Sequence, residues 1–182
     1  MIKTLTKEIT ISRTTERILL VSLFAALTFA AALIKIYTPV SPVPFTLQTF
    51  VLFMAVYYLS AKENGISQAS YILTGMIGAP VFAAGIAGAL ILVGPTAGYL
   101  MGFIVSAFMM SFLMSKAGKL DYVKAALIFT AGSFVILALG TAHMILAYKM
   151  NPMAAIAAGF LPFIPAEALK IAAAAGFYGL KK

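Results

Sequence analysis

The stretch GFLPFIPAEALKIAAAAGF, residues 159 to 177, holds Glu167 and Lys170 three positions apart inside an otherwise apolar run. A carboxylate and an ammonium at that spacing share a helix face and can pair. Pro162 and Pro165 predict a helix restart at Pro165, because proline is tolerated in a first turn whose N–H groups have no intrahelical partner. Glu167 then lies in that turn, where the helix dipole favours an anion. An ionised side chain at the bilayer centre costs about 2.5–3.5 kcal/mol on insertion scales, so such residues face a bundle interior or a water-filled cavity. Two uses stay open for the pair. It neutralises itself and anchors the helix near the outer interface, or Lys170 offers donors to an anionic ligand while Glu167 holds the ammonium or accepts from ligand N–H groups. Apart from Asp121, Glu167 is the only acid after Glu63, so an ion site in this chain belongs here.

Further polar side chains flank the apolar runs. PVPFTLQTF brings Thr46, Gln48 and Thr49 together. An amide carries donors and an acceptor, which suits a neutral polar group such as a urea; a helix-to-helix hydrogen bond is the equal alternative for Gln48. In GPTAGYL, Thr96 and Tyr99 lie beside glycines that let backbone approach a ligand. The Gly-Lys-Ser/Thr ending of a phosphate loop is missing, so no nucleotide site is read. His143 is the only histidine and there is no cysteine, which leaves no metal site, no disulfide framework and no bound cofactor to expect. Ser22, Ala26 and Ala30 recur every four residues and permit close helix approach, either for internal packing or for a partner.

The elements that must position these groups lie in a membrane. Hydrophobic residues make up 63% of the 182 and charged residues 10%, against roughly 45–50% and about 25% in soluble domains. The net charge of +8 lies in short segments between apolar runs rather than on one solvated face, which argues against nucleic acid. Runs long enough to approach roughly 30 Å of hydrocarbon at about 1.5 Å per residue occur near 18–36, 46–60, 66–79, 95–115, 124–147 and 155–180. The expected fold is therefore an all-α membrane protein of six transmembrane helices in one bundle. The second and third are short, and are expected to be packed within protein. The Pro-rich segment at 39–44 and the Gly-rich 78–95 are read as irregular connections. One domain is expected, with residues 1–17 a cytoplasmic segment and 18–182 the six-helix unit. Lys3, Lys7, Arg13, Arg17, Lys62, Lys116, Lys119, Lys124, Lys181 and Lys182 fall on one side of six spans, which places both termini in the cytoplasm. The basic stretch before Ile18 is too long and acid-containing for a cleaved signal peptide, so it is expected to remain.

Four segments in register, PVPFTLQTF, GAPVFAAG, GPTAGYLMGF and LPFIPAEALK, resemble the BioY family, the biotin-specific substrate-binding component of energy-coupling factor transporters. The resemblance covers roughly residues 18 to 180. It implies a six-helix cell-membrane protein, not an enzyme, that binds biotin under its extracellular loops. A transmembrane coupling subunit and two cytoplasmic ATPases are the implied partners. Lys170 matches the family lysine near the biotin carboxylate, and Glu167 stands where the family generally has Asp. Ala84 and Ala97 stand where Gly is usual, which is expected to narrow the pocket. Ser22, Ala26 and Ala30 resemble the small-residue motif that meets the coupling subunit. The alternatives are a substrate-binding component for another vitamin, an intramembrane enzyme using Glu167 and His143 as acid and base, and a purely structural subunit.

Overall fold

The computed structural model describes residues 12–83 and 87–178; Lys3, Lys7, Ala84, Lys181 and Lys182 lie outside them. Helix α1 (Arg13–Leu33) begins five residues before the expected start, because the Ser12 side chain accepts from the Thr15 N–H and closes its first turn. A hairpin follows, β1 (Lys35–Thr38) paired antiparallel with β2 (Ser41–Thr46), Lys35 opposite Thr46 and Ile36 opposite Phe45. The irregular connection expected here is thus ordered, and the architecture is helical with one small sheet. Pro42 and Pro44 fit because both strands of a two-stranded sheet are edges, where a missing N–H costs nothing. The Lys35 ammonium donates to the Ala83 carbonyl and so ties the hairpin to the chain beyond α3.

Helix α2 (Gln48–Ala55) has 8 residues and α3 (Ala61–Met76) has 16, about 12 and 24 Å at the usual rise. Neither is long enough to count as an independent span; among the described residues four segments are, Arg13–Leu33, Ala97–Lys116, Tyr122–Tyr148 and Pro152–Gly176. The expected six are therefore four long apolar spans and two shorter helices. Both short helices bury one face: Leu52, Phe53 and Ala55 on α2, and Asn64, Ser67, Gln68, Tyr71 and Ile72 on α3. Helix α3 starts at Ala61 rather than near residue 66 because Ser60 and Glu63 form a reciprocal capping box. That Ser-x-x-Glu signal is present in the sequence, but hydropathy alone passes over it.

Helix α4 (Ala97–Lys116) lies directly against α5 (Tyr122–Tyr148). A Cβ on Gly102 would come within 2.9 Å of the Ile136 Cα, so only glycine admits this approach. The contact turns Tyr99, Leu100 and Phe103 of α4 and Ile136 and Leu137 of α5 toward the same interior space. Lys149 leaves α5 in the left-handed conformation, with φ of 50°, and Asn151 caps α6 (Pro152–Gly159). The chain then breaks through a 3-10 turn, Leu161–Phe163, and restarts as α7 (Ile164–Gly176) with Pro165 in its first turn. The helix restart that the two prolines predict is found within one residue.

The core is aromatic at its centre, where Phe53 of α2 stacks on Phe129 of α5 with ring centroids 5.0 Å apart.

Candidate functional site

Glu167 lies in the first turn of α7 and is 5% exposed. Its Oε1 accepts from the Lys170 ammonium at 2.6 Å and from the Thr49 hydroxyl at 2.8 Å. Its Oε2 accepts from the Ser133 hydroxyl at 3.0 Å. The Lys170 ammonium also donates to Thr49 Oγ1 at 2.8 Å. Three side chains from α2 and α7 thus close a triangle, and α5 braces it through Ser133. Both helix starts, Gln48 of α2 and Ile164 of α7, lie within a turn of it, so their positive ends favour the carboxylate. A pair held this far from water is stable only when its remaining lone pairs and protons are also bonded, and the two hydroxyls supply those bonds. An ammonium carries three donors. Among the described residues two of those on Lys170 are engaged, which leaves one for a ligand.

The triangle forms one end of a cavity whose empty space is about 620 Å³, counting what is open to solvent at its mouth. Thr46, Gln48, Thr96, Tyr99, Glu167 and Lys170, the six candidate residues, all line it. Their roles differ. Gln48 is clamped, its Oε1 accepting from Thr46 at 3.0 Å and its Nε2 donating to the Tyr71 hydroxyl at 2.8 Å. An amide so held keeps one donor and one lone pair for a ligand. The Tyr99 hydroxyl instead donates to the Gly159 carbonyl at 2.6 Å, pinning the end of α6. Tyr99 therefore offers the cavity its ring rather than its polar tip. Thr96 sits half-buried just before α4. The remaining wall is apolar, with Phe103, Ile136, Leu137 and Phe163 prominent.

Sequence reasoning missed Ser133 and Tyr71. A lone serine within the apolar α5 run was the available signal, since a buried hydroxyl needs a partner. His143 stands apart from the cavity wall: its ring nitrogen meets the Gly94 carbonyl at 3.2 Å, and its ring meets Tyr148 edge-on. No hydrogen bond joins it to Glu167 among the described residues, as an acid–base pair would need. Ala97 is buried in the first turn of α4 and does not line the cavity, contrary to the expectation that it narrows the pocket. Ser22, Ala26 and Ala30 are all exposed on α1, opposite its buried face of Phe24, Thr28, Ala31 and Ala32.

A family model describing BioY matches residues 3–180. The chain belongs to the BioY family. Among curated BioY relatives, the biotin transporter of Thermotoga maritima is 40% identical over 153 residues, covering 84% of this chain and 88% of that one. The biotin transporter of Rhizobium etli is 30% identical over 173 residues, covering 88% and 90%. A solved structure, the S-component for biotin from an ECF-type ABC transporter, superposes with a TM-score of 0.84 at 21% identity, over 92% of each chain. At that identity the superposition speaks for the BioY fold alone.

Proposed function

We propose that this chain is the substrate-binding subunit of an energy-coupling factor importer, taking up biotin at the outer face of the cell membrane. Relatives that bear the name biotin transporter support it, and the observation that carries it is the half-buried ammonium of Lys170 at one end of an apolar cavity with a spare donor. Biotin is a compact ureido bicycle with an apolar chain ending in a carboxylate. Lys170 would receive that carboxylate in a charge-assisted bond. Aromatic and aliphatic walls would take the chain and rings, and the donor and acceptor left on Gln48, with Thr46 and Thr96 near, would take the ureido group. Glu167 then acts on the ammonium more than on the ligand: its two oxygens already accept three bonds. The protein is a multi-pass membrane transporter component and not an enzyme.

The partners follow from the family reading. A transmembrane coupling subunit would seat on the exposed Ser22, Ala26 and Ala30 face of α1, and two cytoplasmic ATPases would supply energy. Arg13, Arg17, Lys62, Lys116, Lys119 and Lys124 are exposed near the α1, α3, α4 and α5 termini at one end of the bundle, which argues for both termini in the cytoplasm. Delivery requires that affinity differ between the outward and reoriented states, since equal affinity shifts no equilibrium.

Competition against bound tritiated biotin on purified protein tests the specificity. Unlabelled biotin should displace the label while thiamine and riboflavin at equal concentration should not. Displacement by either of those would transfer the assignment to another vitamin.

A further inference from the structure

Two cavities share Glu167 of the ion pair as a lining residue. The second is a groove on the outer surface of the bundle, where α5 faces the α6–α7 arm, lined by Phe134, Phe160, Ile164, Ala168 and Ile171 among others. Phe134 is 60% exposed and Ile164 46%, so in a bilayer this groove faces acyl chains. Among the described residues only Leu137 and Glu167 line both spaces. The carboxylate spans the division: Oε1 takes its bonds from cavity residues Thr49 and Lys170, while Oε2 takes one from Ser133, which lines the groove alone. Leu137, 5% exposed, is the apolar side chain that lines both.

We propose that Leu137 is a specificity-determining partition, closing the Lys170 end of the cavity against the lipid-facing groove and so restricting the site to ligands that end in a free carboxylate. The claim rests on the preceding reading for the direction in which the ligand lies. A ligand whose carboxyl group carries a further alkyl chain must send that chain somewhere, and the groove behind Leu137 is an apolar space that shares the Glu167 end of the cavity. Truncating Leu137 to alanine removes three carbons from the wall and joins the two spaces. An equal truncation at Leu100, which is as buried but lines the cavity only, enlarges the cavity without opening it.

The test has two arms on purified full-length protein in lipid nanodiscs. In the first, biotin and its N-hexyl amide are titrated against wild type, Leu137→Ala and Leu100→Ala. Burying a few added methylenes is worth roughly tenfold or more in affinity, so Leu137→Ala should shift the ratio of amide to biotin affinity by about tenfold while Leu100→Ala leaves it alone. In the second arm no vitamin is needed. The chain has no cysteine, so Ile136→Cys, on the cavity wall and off the groove, gives a single thiol. A maleimide on a long alkyl chain, dissolved in the bilayer, should label it faster in the Leu137→Ala background than in the Leu100→Ala background. Leu137→Val, a milder truncation, should move both readouts the same way should the alanine variant not fold. Equal labelling in both backgrounds, or an unchanged affinity ratio in a Leu137→Ala protein that still binds biotin, overturns the partition. A wild type that binds no biotin sinks the vitamin reading instead, and the labelling arm then decides the partition by itself.

Discussion

Thr49 and Glu167 are 118 positions apart in the chain and 2.8 Å apart in the fold. The same threonine oxygen that donates to the carboxylate accepts from Lys170, so one hydroxyl sets the positions of both charges. Replacing it with the near-isosteric Thr49→Val removes both bonds and keeps the volume. Each hydrogen bond to a charged group is worth about 1.5–3 kcal/mol, so biotin affinity should fall by at least about tenfold, and Thr49→Ser should recover most of it. Equilibrium titration of the three proteins checks this.

Removing one charge should hurt more than removing both. Glu167→Gln leaves the half-buried Lys170 ammonium without its counter-ion, a loss of up to about 3–5 kcal/mol, whereas replacing the lysine by Met as well removes the orphaned charge. Thermal unfolding in detergent should therefore rank Glu167→Gln below the double variant Glu167→Gln/Lys170→Met. The reverse order would mean that the pair is not mutually dependent.

The close α4–α5 crossing predicts a backbone effect at a distance from the charges. Gly102→Ala forces a Cβ to 2.9 Å from the Ile136 Cα, and overpacking of this kind costs about 1–3 kcal/mol. The midpoint of thermal unfolding should drop. Biotin binding should weaken with it, because Ile136 and Leu137 carry part of the cavity wall.

Bulk on the exposed face of α1 should separate binding from assembly. Ala26→Leu, flanked by Ser22 and Ala30, leaves the cavity untouched and should not change biotin affinity of the isolated chain. Recovery of the coupling subunit on co-purification, and uptake by the assembled importer, should both fall. Unchanged recovery would remove this face as the contact.

The parts of this site that were legible in the sequence are those whose chemistry is local. Two prolines without N–H groups dictate where the last helix breaks, and a charge pair three residues apart within an apolar run must turn inward; both could be read from residues 159–177 alone. What completes the pair was only half legible: a lone serine in the α5 run signals a buried hydroxyl in need of a partner, but that the partner is Glu167 follows from packing that no spacing encodes. The hairpin was hidden for a different reason. Prolines in the 39–44 segment signal irregular chain by propensity, yet a two-stranded sheet consists of edges and tolerates them. Hydropathy likewise located α3 but not its start, since Ser60 and Glu63 build the first turn from polar groups that a hydropathy window discards.

Calorimetric titration of biotin against wild type and Lys170→Ala asks whether the Lys170 ammonium receives the ligand carboxylate. Truncating a buried, hydrogen-bonded charge partner costs about 2–5 kcal/mol, so the variant should bind roughly 30-fold more weakly or worse, with its fold intact by circular dichroism. Wild-type affinity in a folded Lys170→Ala protein would mean that the ligand carboxylate does not sit on this ammonium.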